Sequence, residues 1–248
     1  MQRKREDFQQ QTQHTDAHRL IFFDEFGTNL GMTRLYGYAP RAERAYGKVP
    51  DNSDPNITLV LGLGLRGIVA PLAFEGSMNG DLFEQYMRER VAPELKPGDI
   101  VVWDGLGAHR VNGAREAVEA RGAQVLPLPP YSPELSPAEE CGSKIKGAIR
   151  AEAPRTVEAV YDAMGRAIGQ VTLHDARGWF DHASRDRAPR AQPSRRRDSE
   201  PDDAGGGGAR APPATRPERR RTDESVPTTS ENRSRGSFSL SDRPVAVS

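Results

Sequence analysis

Two aspartates occupy equivalent places in this chain. Asp24 follows the apolar run Leu20-Ile21-Phe22-Phe23 and precedes Gly27, while Asp104 follows Ile100-Val101-Val102-Trp103 and precedes Gly105 and Gly107. A carboxylate at the end of a buried strand has a low-dielectric wall behind it, and two such strands side by side bring together charges that repel unless a cation joins them. Hard oxygen donors of this kind suit Mg²⁺ or Mn²⁺. An Asp after a strand is also a turn former, because it accepts backbone N–H bonds there. Glu139 is a third candidate, separated from Asp104 by 34 residues. Ser136-Pro137-Ala138-Glu139 also reads as a capping box, with Ser136 at the N-cap and Glu139 at N3. Capping does not account for the block that leads to it, Pro129-Pro130-Tyr131-Ser132-Pro133-Glu134-Leu135.

The elements that must position these carboxylates follow from periodicity. Residues 1–19 are polar and Gln-rich, with too few apolar positions for a packed element, and read as a linker or the end of a helix belonging to something upstream. The fold is expected to start at Leu20 with a short strand, and Gly27-Thr28-Asn29 to turn the chain. Two more strands are expected within Arg34 to Val49. Ile57 to Leu63 predicts a central strand that turns at Arg66-Gly67 into Ile68 to Phe74, and Pro71, with no N–H for a ladder, assigns the latter to an edge. Leu82, Phe83, Tyr86, Met87 and Val91 then recur at helical spacing, with Asn79 as cap and Pro93 at the end. Ile100 to Trp103 is the next strand, Asn112 to Arg121 a short helix stopped by Gly122, and Val125-Leu126 part of another strand. A helix follows the Pro-rich loop, to about Ala151. Val157, Val160, Tyr161, Met164, Ile168 and Val171 mark a last one, capped by Thr156. The order is that of an α/β domain without internal repeats.

The three carboxylates and their surroundings resemble the DDE transposases of bacterial insertion sequences in the mariner-like superfamily. The motifs are Phe23-Asp24-Glu25, then Val102-Trp103-Asp104-Gly105-Leu106-Gly107-Ala108-His109, then Glu139 behind its Pro-Tyr-Ser-Pro block, and the resemblance covers about Leu20 to about His182. It implies a ribonuclease H-like fold, a mixed sheet with helices on both faces. It also implies that Asp24, Asp104 and Glu139 hold two Mg²⁺ ions, replaceable by Mn²⁺, about 3.5 to 4 Å apart. DNA strand cleavage and strand transfer are then one in-line displacement with different nucleophiles. Glu25 and His109 become candidates to orient a metal-bound water or a catalytic Asp; a solvated strand-end charge and a turn residue are their alternative readings. Phe26 stands where the family usually has a small Ser or Thr, Gly105 where it has Asn, and Gly142 where an aromatic is common. The helix-turn-helix region that normally precedes this domain has no counterpart here. The resemblance therefore implies a truncated catalytic domain whose partners are transposon ends and target DNA, a second copy in the DNA complex, and an upstream helix-turn-helix product.

Composition narrows the classes further. Lys and Arg number 35 and so do Asp and Glu, but the segment from Ser184 to Ser248 carries 14 Arg, no Lys and 10 acidic residues, leaving a mildly acidic body. That segment also holds eight Pro and the run Gly205 to Gly208, too little apolar content to offset chain entropy. The expected division is a linker at 1–19, a catalytic domain at 20–183, and a disordered tail at 184–248. The abrupt start and Lys-free composition of that tail fit translation of a shifted frame. The single Cys141 excludes an internal disulfide and a thiolate-rich zinc site, and its helix position assigns it to packing. No apolar run approaches the roughly 20 residues of a membrane span, so the chain is expected to be neither exported nor anchored; the resemblance implies the bacterial cytoplasm, with the nucleoid. For DNA contact, Lys146 and Arg150 extend a polar stripe from Glu139, Lys144 lies beside it, and Arg41, Arg44 and Lys48 interleave with tyrosines in what is equally an exposed hairpin. A catalytically inactive remnant or DNA-binding regulator is the alternative from another class; another ribonuclease H-like nuclease fits the Pro-Tyr-Ser-Pro block less well.

Overall fold

The computed structural model of the chain describes residues 2–51, 53–104, 112–187 and 245–246. Its sheet has the order β5-β4-β1-β2-β3-β6, built from β1 (Leu20–Asn29), β2 (Asn56–Gly64), β3 (Gly67–Glu75), β4 (Ile100–Trp103), β5 (Gln124–Pro127) and the two-residue β6 (Val245–Ala246). β1 pairs antiparallel with β2 and parallel with β4, and β5 continues the parallel half. The helices are α1 (Gln2–Gln13), α2 (Gly80–Tyr86), α3 (Asn112–Glu119), α4 (Pro137–Glu152), α5 (Val157–Gly169) and α6 (Leu173–Arg187).

Alternation along the strands divides the core in two. Leu20, Phe22 and Phe26 of β1 join Leu59, Leu61 and Val102 under Ala138, Cys141, Ile145 and Ile149 of α4, with α5 and Phe180 of α6 behind. Ile21 and Phe23 point the other way, with Val101 and Trp103, toward α2, its continuation to Val91, and α3. Helices therefore cover both faces of a mixed sheet, the ribonuclease H-like arrangement. Asn79 caps α2 by accepting from the Leu82 N–H at 2.9 Å, and Thr156 caps α5 by accepting from the Ala159 N–H. Pro71 falls beside a register shift between Val60 and Gly62, and the buried Tyr86 hydroxyl donates to the Ala70 carbonyl there, at 2.8 Å.

Five details differ from the sequence reading. β1 does not turn at Gly27 but runs unbroken to Asn29, antiparallel to β2 as far as the Asn29–Asn56 pair. Residues 33–50 form no strand: both edges of β1 are already occupied by β2 and β4, and Tyr36, Tyr38 and Tyr46 stay exposed. The capping box at Ser136 is not made. Ser136 is the N-cap residue without a side-chain cap bond, and its N–H is donated to the Pro133 carbonyl at 2.9 Å, leaving Glu139 nothing to close. The reciprocal cap occurs instead at the start of α6, where the Thr172 N–H donates to Asp175 and the Asp175 N–H to the Thr172 hydroxyl. The helix it starts was not expected, because Ala176, Phe180 and Ala183, its buried positions, are few and mostly small.

The N-terminal segment is the fifth difference. It is a packed helix, because one aromatic suffices: Phe8 is 2% exposed within the α4-side core, and the Thr12 hydroxyl back-bonds to its carbonyl at 2.8 Å. From Ser184 on, the structure describes the last turn of α6 and β6, which pairs with Leu72 and Ala73 of β3; the rest of the tail expectation lies outside the described residues. No helix among the described residues is long and apolar enough to cross a membrane. If α1 belongs to the fold, Phe8→Ala should lower the unfolding free energy of the full chain by about 3 kcal/mol in urea titration, the usual loss for an emptied aromatic site, whereas a linker residue would show no loss.

Candidate active site

The parallel ladder of β1 and β4 runs through Leu20–Ile100, Ile21–Val101 and Phe22–Val102. Continued two residues, the same register sets Asp104 opposite Asp24. Both residues lie in step with side chains of the α4-side core, Asp24 between Phe22 and Phe26, Asp104 two after Val102. Asp24 is thus not at the end of its own strand, as the sequence suggested, but where the neighbouring strand ends. Glu139 stands in the first turn of α4, the helix packed on that same face. Glu25 alternates to the opposite face with Ile21 and Phe23, so its side chain does not share the space of Asp24; its backbone N–H does, donating to Asp24 Oδ1 at 2.8 Å. His109, with Gly105 and Gly107, lies outside the described residues.

The electrostatics reflect this convergence. Burial, then the charge of Glu139, raises the Asp24 carboxyl from 3.8 to about 6; the Asp104 charge adds to the rise, while the Glu25 N–H and Lys146 oppose it. Burial, with the Asp24 charge second, pushes the Cys141 thiol up to about 12, in keeping with a packing role. Among the described residues no three His, Cys, Asp or Glu side chains form a ready-made metal site. The donor set nonetheless suits a hard divalent cation: a buried carboxylate whose proton affinity is raised by two others on the same face is what such an ion relieves.

Asp104 and Glu139 line one cavity of about 920 Å³. Its walls are the Pro-rich segment 127–133, Asn112 and Arg115 of α3, and a face of α1; Asp24 is not in its lining. Sequence reasoning missed the α1 wall, although Lys4, Asp7, Phe8 and Gln11 have the i, i+3, i+4, i+7 spacing of a helix face. The expected DNA contacts separate. Lys144 is engaged in an ion pair with Asp175 at 2.6 Å, a bond that, ahead of those from Thr172, holds the Asp175 carboxyl well below the usual carboxylate range. Lys146 lies over the Phe26 ring, 5.3 Å from its centroid. Arg150 is half-buried on α4, and Arg41, Arg44 and Lys48 are exposed in the irregular 33–50 segment, apart from the carboxylates in the chain.

A family model described as a DDE superfamily endonuclease matches residues 19–160. The chain belongs to this superfamily. Its fold is also that of solved Mos1 structures. The Mos1 strand transfer complex aligns with TM-score 0.61 and 17% identity over 74% of this chain and 58% of that one. The Mos1 mariner paired-end complex with Mn aligns with TM-score 0.59 and 17% identity over 74% and 59%. The isolated catalytic domain of Mos1 mariner transposase aligns with TM-score 0.54 and 16% identity over 74% and 88%. The chain thus spans less than two thirds of the Mos1 chains in these complexes. No curated protein matches.

Within this DDE endonuclease, two departures from the family resemblance meet in space. A Cβ on Gly142 would stand 3.1 Å from two ring carbons of Phe26. The aromatic that the resemblance leads one to expect on the helix stands here on the strand, and the helix has a glycine where it meets it. Phe26 is held between α4 backbone and the Lys146 ammonium, and Lys146 in turn acts on Asp24. The exchange predicts strong coupling. Phe26→Thr should empty the site and lower stability by about 3 kcal/mol, Gly142→Phe should overpack it at a similar loss, and the double variant should recover at least about 1 kcal/mol relative to the sum in a urea double-mutant cycle.

The raised Asp24 carboxyl fixes a second expectation. Because its folded value exceeds its unfolded one, its contribution to stability is fully present below pH 3.8 and is lost as pH rises through about 6. That shift corresponds to on the order of 3 kcal/mol. In EDTA, Asp24→Asn should match the parent at pH 4 and exceed it by up to that amount at pH 7.5, read from urea midpoints.

Proposed function

We propose that this protein is a transposase catalytic domain of the mariner-like kind, cutting and joining DNA strands. The observation that supports this reading most is the placement of Asp24, Asp104 and Glu139 on one face of the sheet, near enough for Glu139 and Asp104 to raise the Asp24 proton affinity. Two Mg²⁺ or Mn²⁺ ions held by these three carboxylates would supply Lewis acidity to the scissile phosphodiester and to the attacking oxygen. The chain's own part is positional. β1 and β4 fix two carboxylates at one level, α4 brings the third from above the sheet, and the Pro-rich segment gives the cavity a stiff wall beside Asp104. The Glu25 N–H holds one oxygen of Asp24 in place. The three carboxylates form no covalent bond to DNA in this scheme, so cleavage by water and transfer by a 3′-hydroxyl use one arrangement.

Transposon ends and target DNA are the partners in this reading, with a second copy and an upstream helix-turn-helix product completing the complex of a bacterial insertion sequence. Arg41, Arg44 and Lys48, on a segment exposed among Tyr36, Tyr38 and Tyr46, and Arg150 on α4 supply phosphate contacts. One observation favours the second reading, a DNA-binding protein that keeps the fold without the reaction: no ready-made three-donor metal site exists among the described residues. Nicking of supercoiled plasmid at low salt with Mn²⁺ decides between them. The parent should nick with little sequence preference, and Asp104→Asn and Glu139→Gln should abolish nicking with unchanged circular dichroism, since an amide is a weaker ligand and Glu139 closes no cap. An inert parent would favour the second reading; nicking unaffected in both variants would remove the ligand roles.

A further inference from the structure

The cavity beside Asp104 and Glu139 has a wall that the catalytic carboxylates do not explain. α1 turns Lys4, Asp7 and Gln11 into it, while Phe8, on the same face, anchors the helix in the core. An ion pair between Arg5 and Glu134 joins α1 to the segment that leads into α4. This helix is therefore held against the site from two directions. Arg115 of α3 lines the same cavity, and its guanidinium reaches Glu119 at 3.3 Å on the exposed surface. Lys4 is exposed and has no ion pair among the described residues. A cavity floored by carboxylates that repel phosphate needs cations at its rim if a nucleic-acid backbone is to enter it.

Resting on the reading of the site as one that acts on DNA, we infer that α1 is part of the substrate-binding surface: Lys4, with Arg115 in the lining of the same cavity, holds a backbone phosphate of the strand that lies there. Asp7, one turn along the same face, limits this grip. α1 is thus a local device and not a general basic patch. Lys4 and Arg115 are positioning residues, since they draw the strand toward Asp104 and Glu139 and leave the chemistry to the carboxylates.

The face of α1 supplies its own controls. Lys4 and Asp7 line the cavity, whereas Glu6 is exposed and does not. The full chain would be titrated against a short fluorescein-labelled DNA duplex in EDTA, where no cleavage consumes the probe, over a range of salt. Lys4→Gln is expected to weaken binding on the order of tenfold at low salt and to reduce the salt slope by about one, as the loss of one phosphate contact does. Asp7→Asn should tighten binding several-fold, and Glu6→Gln should leave it unchanged. In Mn²⁺ nicking assays Lys4→Gln should raise KM with kcat near the parent's. Equal binding by Lys4→Gln and parent, or tightening by Glu6→Gln as large as by Asp7→Asn, overturns the inference, as does a parent that binds no DNA. A parent that binds but does not nick removes the proposed reaction and leaves the α1 result standing on binding alone.

Discussion

The three rungs shared by β1 and β4 are the constraint on which the site depends. Leu20–Ile100, Ile21–Val101 and Phe22–Val102 set the phase of two strands whose order in the chain is separated by β2, β3 and α2. Side chains in a strand alternate faces, so a slip of one residue would send the carboxylate of Asp104 to the α2 side while Asp24 remained on the α4 side. The ladder is protected against such a slip by what each face buries. Phe22 and Val102 pack under α4, Ile21 and Val101 under α2 and α3, and each pair is essentially inaccessible to solvent. The alignment of the two aspartates is thus maintained by the core on both sides of the sheet, with no contact of their own required.

The third carboxylate depends on how α4 is seated. Its buried residues, Ala138, Cys141, Ile145 and Ile149, fix the rotation of the helix, and Gly142 lets it approach Phe26 of the strand that carries Asp24. Lys144–Asp175 and Arg166–Glu152 tie α4 to α6 and α5 at its surface, where ion pairs contribute little. Burial therefore decides the helix position, and the ion pairs trim it. In the Phe26–Gly142 contact the two departures from the family resemblance meet, the ring filling space that a side chain at 142 would need.

Where a signal was local, the sequence carried it. The apolar runs of β2, β3 and β4 and the caps at Asn79 and Thr156 follow from residue type and spacing, and the structure has them; β3, which Pro71 assigned to an edge, carries β6 on its outer side. What failed was decided at a distance. Asp24 reads as a strand end because the apolar run stops at Phe23, yet β1 continues because β2 offers it a full-length antiparallel partner through Asn56. The Arg and Tyr alternation of 34–48 reads as strands, but both sides of β1, the strand it follows, are already taken by β2 and β4. The Ser136 box satisfies every sequence rule and is pre-empted by one carbonyl, Pro133. α1 and α6 were obscured because each buries little: Phe8 and Thr12 in one, Ala176, Phe180 and Ala183 in the other. The sequence singled out three carboxylates as candidates by residue type and spacing; it could not show the α1 wall, which lines one cavity with Glu139 only through the tertiary fold.

Stability and reactivity pull against each other at Asp24. Its surroundings, aromatic on both sides in β1 and roofed by α4, are those that make a strand robust, and they raise the carboxyl to about 6 by removing water from it. The charges of Glu139 and Asp104 add to the same penalty. Two small groups act the other way, the Glu25 N–H at 2.8 Å and the Lys146 ammonium, and neither is strong enough to restore an ordinary carboxylate. Lys146 is itself held over the Phe26 ring, so its counter-charge is limited to one position beside the site and leaves the cavity side to the carboxylates. A site in which the protein's own cations underbalance its carboxylates is one that a divalent ion would stabilise on binding. The same imbalance that weakens the unliganded fold is what would give such an ion its affinity.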